Sequence, residues 1–166
     1  MPDKETMERV HEDQQEGKSP SVQAGEFVRE EMHHIREGKH GARSPQQAIA
    51  IGLSKARRAG VDLPPPNEGQ SSEVRSKAEH DLEKGRERGR HRTSSRRSRA
   101  TSKALKREGK SAASHGALSS HSRSAARRRG PKRRHQSAMK AVRSKGRAGM
   151  RASARKAART RSKKAA

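Results

Sequence analysis

The sequence concentrates its basic residues in the C-terminal half, and this limits its possible folds more than any other feature. Residues 90–166 contain 27 Lys and Arg but a single acid, Glu108, whereas residues 1–89 contain 15 Lys and Arg and 17 Asp and Glu. This asymmetry indicates a near-neutral head (residues 1–89) joined to a polycationic arm (residues 90–166). Because like charges in the arm repel one another, one globular fold over the whole chain is not expected.

Composition leaves material for only a small core. The 166 residues are 26% hydrophobic, with one Phe and no Cys, Trp or Tyr. Ordering each residue costs about 1–2 kcal/mol of backbone entropy, which apolar burial must offset. The expected fold is therefore mostly α with extensive disorder. Its parts are a small αα-hairpin in the head, a Pro-rich spacer, and a basic Ala/Lys/Arg/Ser arm with helical tendency.

Two helices are predicted between residues 19 and 60. The first begins at Ser19-Pro20, an N-cap followed by proline, and stops at Gly38; its apolar stripe consists of Ala24, Val28, Met32 and Ile35. The second begins with a capping box that combines Ser44, Pro45 and Gln47, and it ends at Gly60; its stripe consists of Ile49, Leu53 and Ala56. The alternation of Ile49, Ile51 and Leu53 is also compatible with a strand, but the caps favour a helix. A short connection predicts an αα-hairpin.

These patterns divide the chain into a polar N-terminal segment (1–18), the hairpin (19–60), a Pro-rich and mixed-charge linker (61–89) and the arm (90–166). Three consecutive prolines at 64–66 favour an extended, stiff spacer. Val61 and Leu63 are expected to pack back on the hairpin.

The arm predicts binding to a nucleic acid, because Lys and Arg neutralise phosphates and release condensed counterions. We expect phosphate contacts from 25 of its side chains: Arg90, Arg92, Arg96, Arg97, Arg99, Lys103, Lys106, Arg107, Arg127, Arg128, Arg129, Lys132, Arg133, Arg134, Lys140, Arg143, Lys145, Arg147, Arg151, Arg155, Lys156, Arg159, Arg161, Lys163 and Lys164. DNA is favoured over RNA, since the arm has no Phe, Tyr or Trp on which bases could stack. Its Arg/Ser segment is also compatible with RNA.

Several function classes lack a supporting pattern. No nucleophile–base pair or phosphate-cradling loop indicates an enzyme, a cofactor or a small-molecule substrate, and no apolar run is long enough to span a membrane. No metal site is predicted, because the histidines at 33, 34 and 40 lack the i, i+4 spacing with a third ligand that is typical of zinc: His33, His34 and His40.

A sequence-reading helix-turn-helix is not favoured, because two short helices lack a supporting third. Its base-reading side chains would be Gln46, Gln47, Lys55, Arg57 and Arg58.

Residues 35–60 resemble a family of small, basic bacterial proteins. The shared core is a Lys/His/Gly segment followed by Ser-x-x-Gln-Ala-Ile-Ala-Ile-x-Leu-Ser-x-Ala-Arg-x-Ala-Gly, which occurs here from Ser44 to Gly60. The family is a domain of unknown function, and its members are variously labelled uncharacterised, DNA-binding or plasmid stabilisation. The resemblance implies a bacterial source and a cytoplasmic, nucleoid-associated location; it supplies no catalytic residues. The arm resembles linker-histone tails in composition only.

Three functions remain open on the sequence. The first is a histone-like, nucleoid-associated protein that binds DNA without sequence preference through the arm. The second is an adaptor or plasmid-maintenance protein, whose hairpin binds a protein partner or a second copy of the chain. The third is an RNA- or ribosome-associated protein.

Overall fold

The described residues are almost entirely helical. The computed structural model describes residues 2–66, 71–87 and 94–165, and for residues 163–165 it describes the backbone alone. No strand occurs in these ranges. A short 3-10 turn lies at Ser111–Ala113, and the α-helices are α1 (Lys4–Gln15), α2 (Pro20–Glu37), α3 (Pro45–Arg58), α4 (Ser72–Arg86), α5 (Ser95–Arg107) and α6 (His115–Ala165). The mostly helical fold is therefore confirmed.

α2 and α3 begin and end where the local signals predict. α2 starts at Pro20 and is followed by Gly38, whose φ of 84° is left-handed. At the start of α3, the Ser44 hydroxyl accepts a hydrogen bond from the Gln47 amide at 3.2 Å. The Gln47 side chain in turn accepts one from the Arg43 amide at 2.7 Å. The capping box is thus formed, although its return bond goes to the residue before the cap.

α2 and α3 pack against each other through small residues. Phe27 and Ile35 of α2 are fully buried, each in a separate apolar cluster that α3 helps to form. Gly52 of α3 lies against the backbone of Val28, so close that a Cβ at residue 52 would lie 2.7 Å from the Val28 Cα. A side chain at this position would force the two helices apart. The short distance between the helices therefore depends on glycine at position 52.

Replacing Gly52 with alanine should destabilise the chain by about 1–3 kcal/mol, because the added methyl group overpacks the contact between the helices. Gly25 provides a matched control, since it is exposed in α2 and a Cβ there would meet nothing within 4 Å. Gly25→Ala should instead stabilise by about 0.5–1 kcal/mol through helix propensity. Urea denaturation followed by circular dichroism measures both. Equal stabilisation by both substitutions would contradict the close packing.

α1 belongs to the folded head, although the sequence suggested only a polar segment. Val10 is buried and joins the apolar cluster around Ala24 and Phe27. Arg9 Nε lies 2.7 Å from Glu26 Oε2 of α2, at a partly buried position. An apolar residue, an ion pair and a hydrogen bond from Gln14 to Gln23 therefore attach α1 to α2.

α4 packs on α3 around one buried carboxylate. The Asp81 side chain is 3% exposed and accepts hydrogen bonds from the Ser54 hydroxyl and from Arg58 Nε, each at 2.6 Å. Two charge-assisted contacts of this kind compensate the burial of the carboxylate. Leu82, next to Asp81, is also buried. Part of the predicted linker is therefore an element of the folded head.

The proline segment folds back on α3, and a stiff spacer is not confirmed. Val61 is buried, and Leu63 packs against the same apolar cluster, as predicted. The Arg57 guanidinium donates to the carbonyl oxygens of Leu63 at 3.1 Å and of Pro64 at 3.3 Å. Burial lowers the pKa of Arg57 from its usual value, and the nearby Asp81 carboxylate opposes this shift. Its guanidinium thus holds the segment against the head.

The beginning of the arm contributes to the same compact unit as the head. By their internal contacts, residues Met1–His121 form one unit and Ser122–Ala166 a second. In the first unit, Ala112 and Ala113 are buried beside Met32 and Ile35 of α2. The Arg36 Nε donates to the Ala113 carbonyl at 3.0 Å. The folded unit is therefore larger than the hairpin, because segments on both sides of the hairpin pack onto it.

α6 is long but interrupted. Gly130 (φ 72°, ψ 168°) and Gly146 (φ 63°, ψ 178°) have non-helical backbone, and they divide α6 into three helical stretches. Ala, Lys and Arg have high helix propensity, which accounts for the stretches, and glycine tolerates the positive φ at the breaks. The expected extensive disorder is not confirmed in the described part of the arm. None of the described helices combines the length and the apolarity that a membrane span requires.

Candidate nucleic-acid interface

Ion pairs within the head neutralise most of its cations. Across the interior of the head, Arg9 pairs with Glu26 at 2.7 Å and Arg58 with Asp81 at 2.6 Å. Lys18 pairs with Asp13 at 2.7 Å. Contacts with Asp13 and Glu16 raise the pKa of Lys18 well above its usual value. Most cations of the head are therefore already matched by acids of the head.

The described cations of the arm, unlike most of those of the head, have no acidic partner in the described part of the chain. Among the side chains described between residues 94 and 162, no Lys or Arg lies within 4.0 Å of a described carboxylate. The only acid of the arm, Glu108, pairs instead with Arg43 of the head, at 3.6 Å. The positive charge of the described side chains of the arm therefore has no acidic partner among the described residues.

α5 places five cations on one face, which we call the α5 stripe. It consists of Arg96, Arg99, Lys103, Lys106 and Arg107, all of them exposed. Their spacing of i, i+3, i+7, i+10 and i+11 keeps them within an arc of about 100° at 3.6 residues per turn, along a length of about 16 Å. Arg97 lies outside this arc, and the half-buried Leu105 lies opposite it. A single helix face thus offers a row of positive charges.

Hydrogen bonds hold the C-terminal end of α5 against the loop between α2 and α3. The Gly41 amide donates to the Leu105 carbonyl at 2.9 Å, and the Ala42 amide donates to the Gly109 carbonyl at 3.1 Å. A Cβ at position 41 would overlap the Glu108 carbonyl, so this approach requires glycine. The α5 stripe is therefore a fixed surface of the first unit.

The second unit carries cations on all sides of its helical stretches. The predicted phosphate-contacting side chains of α6 described in the structure are all exposed: Arg127, Arg128, Arg129, Lys132, Arg133, Arg134, Lys140, Arg143, Lys145, Arg147, Arg151, Arg155, Lys156, Arg159 and Arg161. Consecutive runs such as 127–129 and 132–134 turn by about 100° per residue, so each run spans about 200° around the helix axis. The described cations of the second unit are therefore not confined to one helix face.

Four of the predicted side chains cannot be placed. Arg90 and Arg92 lie outside the described residues, and Lys163 and Lys164 lie in α6 with only their backbone described. Conversely, Lys110 and Arg123 are exposed cations of the arm that the sequence-based set omits. Their charge alone could have identified them.

The Lys110 side chain fills the space beside Gly38, at the C-terminal end of α2, where the helix dipole favours a cation.

The basic residues of α3 are engaged within the head. Lys55 contacts Glu31 at 2.7 Å, Arg57 binds backbone carbonyl oxygens, and Arg58 pairs with Asp81. Gln47 is occupied as part of the cap of α3. Four of the five side chains named for a helix-turn-helix are thus held by internal partners, whereas Gln46 is exposed. The absence of a third helix, which was the reason against a recognition helix, does not hold, because α1 packs on α2 and α4 packs on α3.

The three histidines of the hairpin have different environments. His33 is exposed, whereas His34 is buried and His40 is half-buried. The rings of His34 and His40 meet edge to face, with their centroids 6.0 Å apart. The fold therefore brings together two histidines that sequence spacing did not relate.

Comparison with known proteins gives one match. Residues 19–67 match a family of unknown function, DUF6496. The matched residues cover α2, α3 and the proline segment that packs on them, in agreement with the resemblance to a domain of unknown function. The chain matches none of the curated proteins and none of the solved structures.

Proposed function

We propose that this protein binds double-stranded DNA through its phosphates, without sequence preference, as a nucleoid-associated protein. The observation that carries the proposal is the uncompensated charge of the arm, whose described Lys and Arg side chains form no ion pair with a described carboxylate. Duplex DNA presents a phosphate charge about every 1.7 Å of its axis, and each contact with a cation releases counterions. Exposed, unpaired cations of this density match that partner.

Two surfaces contribute in different ways to the proposed binding. The α5 stripe is held by the head and presents five cations along one face, so it suits contact with one run of phosphates. The helical stretches of α6 present cations all around their axes, so they suit wrapping or bridging of DNA. Neither surface needs a particular base, because phosphate contacts position a protein without carrying sequence information.

The available side chains favour DNA over RNA as the partner. Sequence-specific RNA recognition and single-strand binding rely on stacking of bases on aromatic side chains. The only Phe of this chain, Phe27, is fully buried, and the chain has no Tyr or Trp. The exposed surface therefore has no large aromatic platform for a base.

Competition between nucleic acids tests this proposal. The full chain is bound to a labelled random duplex, and unlabelled duplex DNA or structured RNA is added at equal phosphate concentration. We expect duplex DNA of any sequence to compete at least as well as RNA, because both offer phosphates and the chain has no exposed Phe, Tyr or Trp on which sequence-specific RNA readers stack bases. Strong preference for RNA would contradict the proposal and favour a ribosome- or RNA-associated function.

A further inference from the structure

A polar cluster in the head brings together three metal-ligating side chains. One potential ligand atom from each of Glu31, His34 and His40 lies within 4.8 Å of the others. Glu31 and His34 belong to α2, whereas His40 belongs to the loop that leads to α3. Since the loop returns His40 to the side of α2, the cluster is formed by tertiary structure.

Glu31 is the most constrained member of this cluster. Its side chain is 0% exposed, and its Oε1 has no hydrogen-bond partner. The Lys55 ammonium lies 2.7 Å from Oε2 and forms an ion pair with it. Burial tends to lower the pKa of Lys55, and the Glu31 and Glu30 carboxylates outweigh this effect and raise it. A buried carboxylate oxygen that lacks a hydrogen bond is costly, so a further partner at Oε1 would stabilise the fold.

His40 brings an imidazole nitrogen close to that oxygen. Its Nδ1 lies 3.2 Å from the Gly41 carbonyl oxygen, and since a carbonyl only accepts, Nδ1 donates. Nε2 of the neutral ring then carries the lone pair, and it lies 3.3 Å from Glu31 Oε1. Nε2 and Oε1 thus approach each other without a hydrogen bond, so a cation bound by both atoms would relieve their repulsion. A tetrahedron with metal–ligand distances of about 2.0–2.1 Å has edges of about 3.3–3.4 Å.

The ring of His34, like that of His40, donates one N–H to an oxygen, in this case to the carboxylate of Asp3. Its Nε2 lies 2.9 Å from Asp3 Oδ2, and this hydrogen bond lowers the pKa of Asp3. Because the carboxylate accepts, Nε2 donates and the lone pair remains on Nδ1. The nearest carboxylate oxygen to Nδ1, Oε1 of Glu30, is 4.0 Å away, too far for a hydrogen bond. Metal-binding histidines commonly donate their second N–H to a carboxylate or a carbonyl, as both rings do here.

The charges around the cluster match a divalent ion. Asp3, Glu30 and Glu31 carry three negative charges, and Lys55, which contacts both glutamates, carries one positive charge. Two negative charges therefore remain when both histidines are neutral. We propose that Glu31, His34 and His40 bind a divalent transition-metal ion such as Zn²⁺, with Asp3 positioning His34. Mixed imidazole and carboxylate ligands suit zinc, and three protein ligands leave a fourth position open.

Titration of the full chain with Zn²⁺ against a chromophoric chelator tests the site. We expect one tight site per chain, lost in His34→Ala and in His40→Ala. Asp3→Asn, at an exposed residue whose side chain contacts Nε2 of His34, should weaken binding about 10–100-fold. His33→Ala is the matched control, because His33 is exposed on the same helix, and it should leave the affinity unchanged.

Two outcomes would overturn the metal site. One is the absence of a stoichiometric site in the unmodified chain. The other is equal weakening by His33→Ala and His34→Ala, which would indicate non-specific binding by the nine histidines of the chain. Circular dichroism of each variant shows whether it is folded, and Asp3→Asn keeps the test decisive if a buried variant unfolds. The visible absorption of bound Co²⁺ independently reports tetrahedral ligation.

Discussion

Replacing the five cations of the α5 stripe with glutamine should make DNA binding by the full chain much less sensitive to salt. The slope of log affinity against log salt is about −0.9 per phosphate contacted, so the loss of five contacts reduces the slope by about 4.5. Between 50 and 200 mM salt, the unmodified chain should then lose about 500-fold more affinity than the variant. Fluorescence anisotropy with a labelled random duplex measures both slopes.

A charge-preserving variant controls for the effect of five substitutions. In it, Lys replaces Arg96, Arg99 and Arg107, and Arg replaces Lys103 and Lys106. Because phosphate contacts of this kind depend on charge, the control should keep the slope of the unmodified chain. If the glutamine variant kept that slope as well, the stripe would not be part of the interface, and α6 would be the main candidate for it.

The α5 stripe shows what sequence patterns can and cannot predict. The five positions are visible in the sequence at helical spacing, but the Arg/Ser composition of the segment favoured disorder. The C-terminal end of α5 is hydrogen-bonded to Gly41 and Ala42, about 65 residues earlier in the chain. No local signal encodes such a contact. The identity of the basic residues was therefore predictable, and their common face was not.

Local signals were sufficient for α2 and α3. Pro20 and Gly38 bound α2, and the capping box at Ser44 starts α3, because caps act within a few residues. Long-range contacts decide the rest of the head. α1 is held by Val10 and by polar contacts with α2. α4 is held by the buried Asp81 and by Ala78 and Leu82, whose i, i+4 spacing was a local signal that the sequence analysis did not use.

The cluster of Glu31, His34 and His40 was hidden for a related reason. A zinc motif on one helix is recognised by i, i+4 spacing, whereas here one histidine comes from the loop after α2. The left-handed Gly38 turns the chain back, and the side chain of His40 then reaches Glu31. Sequence spacing could suggest the residues but could not predict that they lie close together.

Binding of the full chain to random duplex DNA should fall steeply and uniformly as salt rises. The arm has 27 Lys and Arg against one acid, and proteins that make 6–10 phosphate contacts lose roughly 10³–10⁵-fold in affinity between 50 and 200 mM salt. We expect at least six contacts, because the α5 stripe alone supplies five cations and α6 supplies more. The corresponding slope is about −5 or steeper.

The most direct test of the central claim, that the arm contacts phosphates and not bases, is this salt titration on two duplexes of equal length, one A·T-rich and one G·C-rich. The account predicts straight log–log lines with the same steep slope and affinities that agree within a few-fold. A flat salt response, or a large preference for one duplex that persists at high salt, would contradict it.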